Sequence, residues 1–273
     1  GRKLNFKMRI YFLTYGDKSF KYSKKHLCAL AKHSGFFDKI LSLGPEDLNN
    51  NFKKDYRDIL NANRGGGYWI WKHEIINNLL NEINKEDIVL YCDAGSSINN
   101  LPKAKLRFRE YLDIISDNKT NFLRFETEKQ FLESQFTSKE LFDLFNIDFE
   151  SKVATTTQLQ AGVMFFKKNN TNMNFFQDYK KVLNSDKNLI TDFYINKQHE
   201  NFIANRHDQS IFSLLGKTYN SHILENETEF RTRKEMQFDF PILTVRASNH
   251  GLKDRLKLTF LMSIYGKKTR YFL

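Results

Sequence analysis

"DIVLYCDAGSSI", residues 87–98, decides how the chain is read. Ile88, Val89, Leu90 and Tyr91 form an unbroken apolar run, which suits a strand buried on both faces. The run ends on a single carboxylate, Asp93, followed by Ala94, Gly95 and two hydroxyls, Ser96 and Ser97. A core strand that stops at an acid and then sheds all bulk has two readings. It is a surface turn or helix cap, or it is a place where a hard cation and a phosphate approach the backbone.

The flanking sequence supplies the frame. "MRIYFLTY", residues 8–15, is a β-branched and aromatic run closed by Gly16, a first buried strand. "KYSKKHLCALAKHSGF" places Leu27, Leu30 and Ala31 at helical spacing and stops at Gly35. "FDKILSLGP" reads as a second strand, residues 46–60 as helical, and "YWIWKHEIINNLLNEIN" as an amphipathic helix through Ile75, Ile76, Leu79 and Ile83. Strands alternating with helices predict an α/β fold with a mostly parallel central sheet flanked by helices. Ligands in such sheets lie beyond the carboxyl ends of the strands. Tyr15-Gly16 and Asp93-Ala94-Gly95 both fall there.

Further along, "RFREYLDII", "SKELFDLF", "NMNFFQDYKKVLNS" and "RHDQSIFSLLGKTY" read as helices. "TTTQLQAGVMFFKKN" returns to strand character, and Gly162 inside its apolar run implies close approach by another backbone or a ligand. No Pro/Gly/Ser-rich linker divides the chain, so a single domain over residues 1–255 is expected. A basic amphipathic segment, 256–273, follows it, packed on the domain or laid at a membrane surface. "GRKLNFK" reads as a short leader before Met8.

Composition narrows the class. The 26 Phe are spread at core-like spacings and read as the main core filler. Cys28 and Cys92 form no ligand pattern, which favours a reducing, cytoplasmic setting and offers no zinc site. No run of 18 apolar residues occurs, so location at the inner face of a membrane would be peripheral. The net charge of +11 is dispersed and comes with no nucleic-acid motif. It suits an anionic substrate or an anionic membrane surface better than a nucleic acid.

Three more clusters carry chemistry. "NANRGGGYWIWKHEII", residues 61–76, places three glycines ahead of a helix. Its backbone N–H groups suit an anion, with Arg64 and Lys72 as cations. The bland reading is a flexible turn. "NRHDQSIFSLL", residues 205–215, offers Asp208 and Gln209 either as helix caps or as site residues, with His207 beside them to hold a hydroxyl or take a proton. "RASNHGLKDR", residues 246–255, offers His250 as a metal ligand beside Lys253 and Arg255, or as an ordinary surface histidine.

The order "FLTYG", "RGGGYWIWK", "VLYCDAGSSIN", "QLQAGVMFF", "HDQSIFSLL" resembles the small GT-A-type glycosyltransferases of bacterial capsule and lipopolysaccharide clusters and of large DNA viruses. The resemblance covers roughly residues 8–255. It implies a GT-A-like (Rossmann-like) domain and a nucleotide-sugar donor, a UDP-sugar for preference. The acceptor would be a glycan or lipid-linked glycan, and the ion Mn²⁺ or Mg²⁺. Thr14, Tyr15 and Gly16 would line the nucleoside pocket, Arg64 would reach the base or diphosphate, and Lys253 or Arg255 would join it in stabilising the departing diphosphate. Asp93 would match the first acid of a DxD motif, with Ala94 and Gly95 completing DAG in place of the second acid. His250 would complete the metal shell. Gln160, Ala161 and Gly162 would lie near the sugar, and Asp208 and Gln209 at the reaction centre. Asp208 would be a base in an inverting enzyme and a charge stabiliser in a retaining one. A non-catalytic glycan- or nucleic-acid-binding protein on the same scaffold is the alternative.

Overall fold

The computed structural model describes residues 8–117, 119–229 and 239–245. The leader, His250, Lys253, Arg255 and the 256–273 segment lie outside these residues. Eight strands occur: β1 (Ile10–Tyr15), β2 (Lys39–Leu43), β3 (Ile88–Cys92), β4 (Ser96–Ile98), β5 (Phe122–Phe125), β6 (Val163–Lys167), β7 (His222–Leu224) and β8 (Ile242–Thr244). Six form one sheet in the order β2-β1-β3-β6-β5-β7, and β4 pairs with β8 in a separate antiparallel pair. β1 is parallel to β2 and β3, and β5 is parallel to β7. β6 runs antiparallel to both its neighbours, β3 and β5. The other five strands therefore share one direction, and the start of β6 meets their carboxyl ends.

The apolar run of β3 is explained by the layers on either side. Its residues are all buried, and side chains alternate across the sheet. Val89 and Tyr91 face a core built with the helices Trp71–Glu82, Asn170–Ser185 and Asp208–Thr218. Ile88, Leu90 and Cys92 face a second core built with Lys21–Ser34 and Pro102–Ser116. Phenylalanine fills both layers: Phe165 joins the second core, while Phe166 packs with Phe175, Phe176 and Phe212 in the first. Each such burial contributes on the order of 1.5–3 kcal/mol.

Local signals fix the ends. Gly35 adopts φ 67° and closes the Lys21–Ser34 helix in the left-handed region, as a C-terminal glycine does. Asn169 accepts from the Asn172 N–H at 2.9 Å and caps Asn170–Ser185. Two expectations are corrected. Residues 46–60 are not one helix but a turn at Pro45–Asp47 and short helices at Asn50–Asp55 and Arg57–Leu60, broken at Tyr56, whose φ of −112° leaves the helical range. The helix expected from Tyr68 begins only at Trp71, because Tyr68 and Trp69 have positive φ. Among the described residues no helix is long and apolar enough to cross a membrane.

Candidate functional site

A cleft of about 1040 Å³ opens along the carboxyl edge of the sheet. Tyr15, Gly16 and Leu48 line it from the β1 and β2 side, Asp93, Ala94 and Gly95 from β3, and Thr127, Glu128 and Asn226 from β5 and β7. Gly162, at the start of the reversed β6, completes the centre. Strand order therefore places Asp93 mid-cleft, between two chemically different ends.

Asp93 is held from below. Its N–H donates to the Gly162 carbonyl at 2.8 Å, and its Oδ1 accepts from the Tyr91 hydroxyl at 2.7 Å. Burial pushes the Tyr91 hydroxyl well above its ordinary pKa, so it remains a donor. Lys72, only 2% exposed, brings its ammonium to 3.2 Å from Asp93 Oδ1 and 2.6 Å from Asp208 Oδ2. It also donates to the Ala161 carbonyl at 3.1 Å. Burial opposes the ammonium charge, but the two carboxylates outweigh it and raise the Lys72 pKa. Asp208 is itself 4% exposed, and burial pushes it up to about 6 although Lys72 pulls the other way.

Asp93 Oδ2 has no partner among the described residues. A Cβ added at Gly162 would stand 3.1 Å from it, so the missing side chain leaves that oxygen its space. The sequence implied close approach by a backbone or a ligand; the Asp93 N–H supplies the backbone approach, and the Asp93 carboxylate adds a side-chain one. No group of three His, Cys, Asp or Glu able to hold a metal occurs among the described residues. A cation held by one carboxylate oxygen, with phosphate oxygens and water filling the remaining positions, is nonetheless ordinary for Mg²⁺. The uncovered Oδ2 fits that role.

The glycine segment departs from its expected role. Gly65, Gly66, Gly67, Tyr68 and Trp69 all have positive φ, so the chain makes a left-handed turn and not the start of a right-handed helix. The N–H groups from Gly66 to Trp69 are spent internally: Gly67 donates to the Ala62 carbonyl at 2.9 Å and Tyr68 to that of Arg64 at 2.7 Å. What the turn delivers is aromatic placement. The Trp71 indole donates to the Gly65 carbonyl at 3.1 Å and stacks on Tyr15 at 3.8 Å between centroids. Tyr68 and Trp69 pack against the buried His207 ring at 4.8 and 5.8 Å.

Tyr15, Gly16, Asp93, Ala94, Gly95, Gln160, Gly162 and Gln209 thus meet in the cleft. Thr14, Lys72, Ala161 and Asp208 lie behind its wall, each buried. Arg64 is 58% exposed, pairs with Asp192 at 3.7 Å and does not line the cleft. His207 is buried, with Nδ1 donating to the Ile190 carbonyl at 3.0 Å, and burial lowers its pKa. It is thus sequestered from any hydroxyl in the cleft. The Gln209 amide is fixed: its Nε2 donates to Gln158 at 2.8 Å and its Oε1 accepts from the Ala161 N–H at 3.3 Å. Sequence reasoning missed Lys53, Lys54 and Arg57, which line the β2 end. Their spacing in a helical stretch was the available signal.

The α/β fold, with its cleft at the strand ends, is of the GT-A-like class. Two solved structures illustrate it. One is a glycosyltransferase involved in the glycosylation of the major capsid of PBCV-1, similar at a TM-score of 0.51 and 10% identity over 90% of this chain and 97% of that one. The other is the bifunctional glycosyltransferase WbbM, with a TM-score of 0.51 and 14% identity over 82% of this chain and 40% of that one. At these identities the likeness is one of fold. No protein-family model and no curated protein matches the chain.

Proposed function

We propose that the protein is a glycosyltransferase that moves a sugar, a hexose, from a nucleoside diphosphate donor to a hydroxyl of a glycan or lipid-linked glycan, with a UDP-sugar as the favoured donor. The observation that carries this reading is Asp93, set mid-cleft with one oxygen anchored by Tyr91 and Lys72 and the other left uncovered opposite Gly162. A surface turn needs neither a buried ammonium beneath it nor a cleared space before it.

The roles follow from position. Tyr15 and Gly16 form the nucleoside wall, and Ala94 and Gly95 leave room for the diphosphate. A Mn²⁺ or Mg²⁺ ion, when bound, supplies positive charge to the departing diphosphate. Asp93 Oδ2 would hold it, with His250 proposed as a second ligand and Lys253 as a phosphate partner. Lys72 and the Tyr91 hydroxyl hold Asp93 Oδ1 and so fix the direction of its carboxylate. Gln160 and Gly162 border the transferred sugar, with the Ala161 peptide behind them gripped by Lys72 and Gln209. Gln209 is the member of the Asp208-Gln209 pair that reaches the cleft, and Asp208 acts through Lys72, whose ammonium it fixes.

Calorimetric titration of UDP and of GDP, each with and without Mn²⁺, tests the reading. Metal-dependent binding of one nucleotide, abolished in Asp93→Ala, is expected. Absence of binding to either nucleotide sinks it. A glycan ligand retained by Asp93→Ala without turnover would favour a non-catalytic binding module, consistent with DAG carrying one acid where DxD carries two.

A further inference from the structure

Arg124, on β5, is fully buried, and no role assigned so far uses it. Its guanidinium spans two elements. Nη1 donates to the Phe212 carbonyl at 3.1 Å and Nη2 to the Gln160 carbonyl at 2.7 Å. Phe212 lies one turn along the helix that begins with Asp208 and Gln209. Gln160 opens the segment that leads through Ala161 to Gly162. That segment is gripped twice more, by Lys72 on the Ala161 carbonyl at 3.1 Å and by the Asp93 N–H on the Gly162 carbonyl at 2.8 Å. Three successive carbonyls are therefore held from three different elements, two of them by buried cations.

A structural tie alone would not need a guanidinium. A neutral amide carries two N–H donors, and a buried charge is costly unless it is paired. Arg124 makes no ion pair among the described residues, and its Nε has no hydrogen-bond partner there. Burial lowers its pKa to about 9, against the opposing pull of Glu133 and then Asp208, so it is still a cation at neutral pH. Glu133 is itself engaged by Lys217 at 2.8 Å, Thr137 at 2.7 Å and Gln158 at 3.1 Å. The helix makes room for the guanidinium: a Cβ added at Gly216 would stand 3.1 Å from Nη1. What arginine adds over an amide is a planar fork of fixed span.

We propose that Arg124 is a positioning residue, whose fork sets the helix that carries Asp208 and Gln209 against the segment that carries Gln160 and Gly162. Two single hydrogen bonds join the same elements, from the Leu159 N–H to Ser213 Oγ at 2.8 Å and from the Ala161 N–H to Gln209 Oε1 at 3.3 Å. Each can pivot, and the second is long. The fork constrains angle as well as distance. Because the Gly162 carbonyl accepts from the Asp93 N–H, the setting is passed on to Asp93 and its uncovered Oδ2. The inference rests on the sugar-transfer reading only for the ligand it expects in the cleft.

The test uses the full chain labelled with ¹⁵N-glycine, its Gly162 amide signal assigned through Gly162→Ala. Arg124→Lys keeps a cation but not the fork, and Gly216→Ala presses a Cβ onto Nη1. Both should move the Gly162 signal without ligand, while the signal of Gly35, at the end of the Lys21–Ser34 helix, stays in place and reports an intact fold. Both should also weaken Mn²⁺-dependent binding of UDP or GDP about tenfold by calorimetry. Phe176→Leu, in the same core, is the control: its urea midpoint should fall with the Gly162 signal and the affinity unchanged. An unmoved Gly162 signal, an affinity within about twofold of wild type, wild-type behaviour in Arg124→Lys, or an equal loss of affinity in Phe176→Leu each overturns the proposal. A wild type that binds neither nucleotide sinks the sugar-transfer reading alone, and the ligand-free Gly162 signal then decides whether Arg124 positions the segment.

Discussion

The end of β3 and the turn at residues 65–69 are both rich in small residues, yet glycine does opposite work in them. Gly162, opposite Asp93, is there for volume: its φ is ordinary, and a Cβ would only crowd one carboxylate oxygen. Gly65 and Gly67 are there for handedness. They sit at φ 60° and 96°, and a Cβ on either would collide, with the Trp69 ring at 2.4 Å or with the Leu60 Cα at 2.7 Å. The first region shapes an opening for a ligand, and the second aims aromatic rings. His207 links them, because its ring is packed by Tyr68 and Trp69 while its neighbour Asp208 pairs with Lys72.

The largest effect is expected at Lys72. Lys72→Met leaves Asp208 buried and unpaired beside Asp93, which should cost about 3–5 kcal/mol in urea unfolding. Acid should recover part of this loss. Burial raises Asp208 from an unfolded value near 3.8 to about 6 in the wild type, so between these values the folded state holds the extra proton. Its contribution to stability therefore falls as pH rises through that window. Lys72, its own pKa raised, stays charged throughout and limits the effect. Removing the ammonium pushes Asp208 higher still, so the difference between variant and wild type should be smaller at pH 5 than at pH 7.5. A difference independent of pH would break the assignment of Asp208 as the stranded charge.

Next come the glycines. Gly67→Ala should destabilise by about 2–3 kcal/mol, from a left-handed backbone and a clash with chain that cannot yield. Gly66→Ala shares the hand, at φ 58°, but opens onto space, and should cost about 1 kcal/mol in the same unfolding assay. Equal losses would show that packing, not backbone hand, dominates the turn. Gly162→Ala should leave stability within about 1 kcal/mol yet weaken metal-dependent nucleotide binding about tenfold by calorimetry. A large melting shift with unchanged binding would reverse the contrast between the two regions. The smallest change belongs to Arg64→Ala, an exposed pair, at about 0–0.5 kcal/mol by thermal melting and with nucleotide affinity unaltered.

Much of this was legible in the chain because its signals are local. β3 announces itself through a run apolar on both faces, and Asp93 through the contrast that follows. Gly35 and Asn169 mark their helix ends with ordinary cap chemistry. What stayed hidden depends on tertiary placement. Lys72 reads as a free cation until Asp208, far along the chain, is folded against it. The hand of "RGGG" is not written in glycine, which accepts either sign of φ; the rings of Trp69 and Trp71 and the packing on His207 select it. Lys54 and Arg57 look like any solvated helix face until the strand order sets them at one end of the cleft.

The reversed β6 has a further consequence. At the strands that run the common way, the chain reaches the cleft on leaving the sheet, so its loops there are free to vary in length before the next helix. At β6 the chain reaches the cleft on its way in. The segment 157–162 arrives already tied by bridges from Leu159 to Glu126 and from Thr157 to Leu132. Here inserted residues would have no slack to occupy, since both the approach and the strand it feeds are fixed. Diversity among proteins sharing this scaffold should therefore accumulate in the outgoing loops, while the incoming segment is inherited as a unit of constant length.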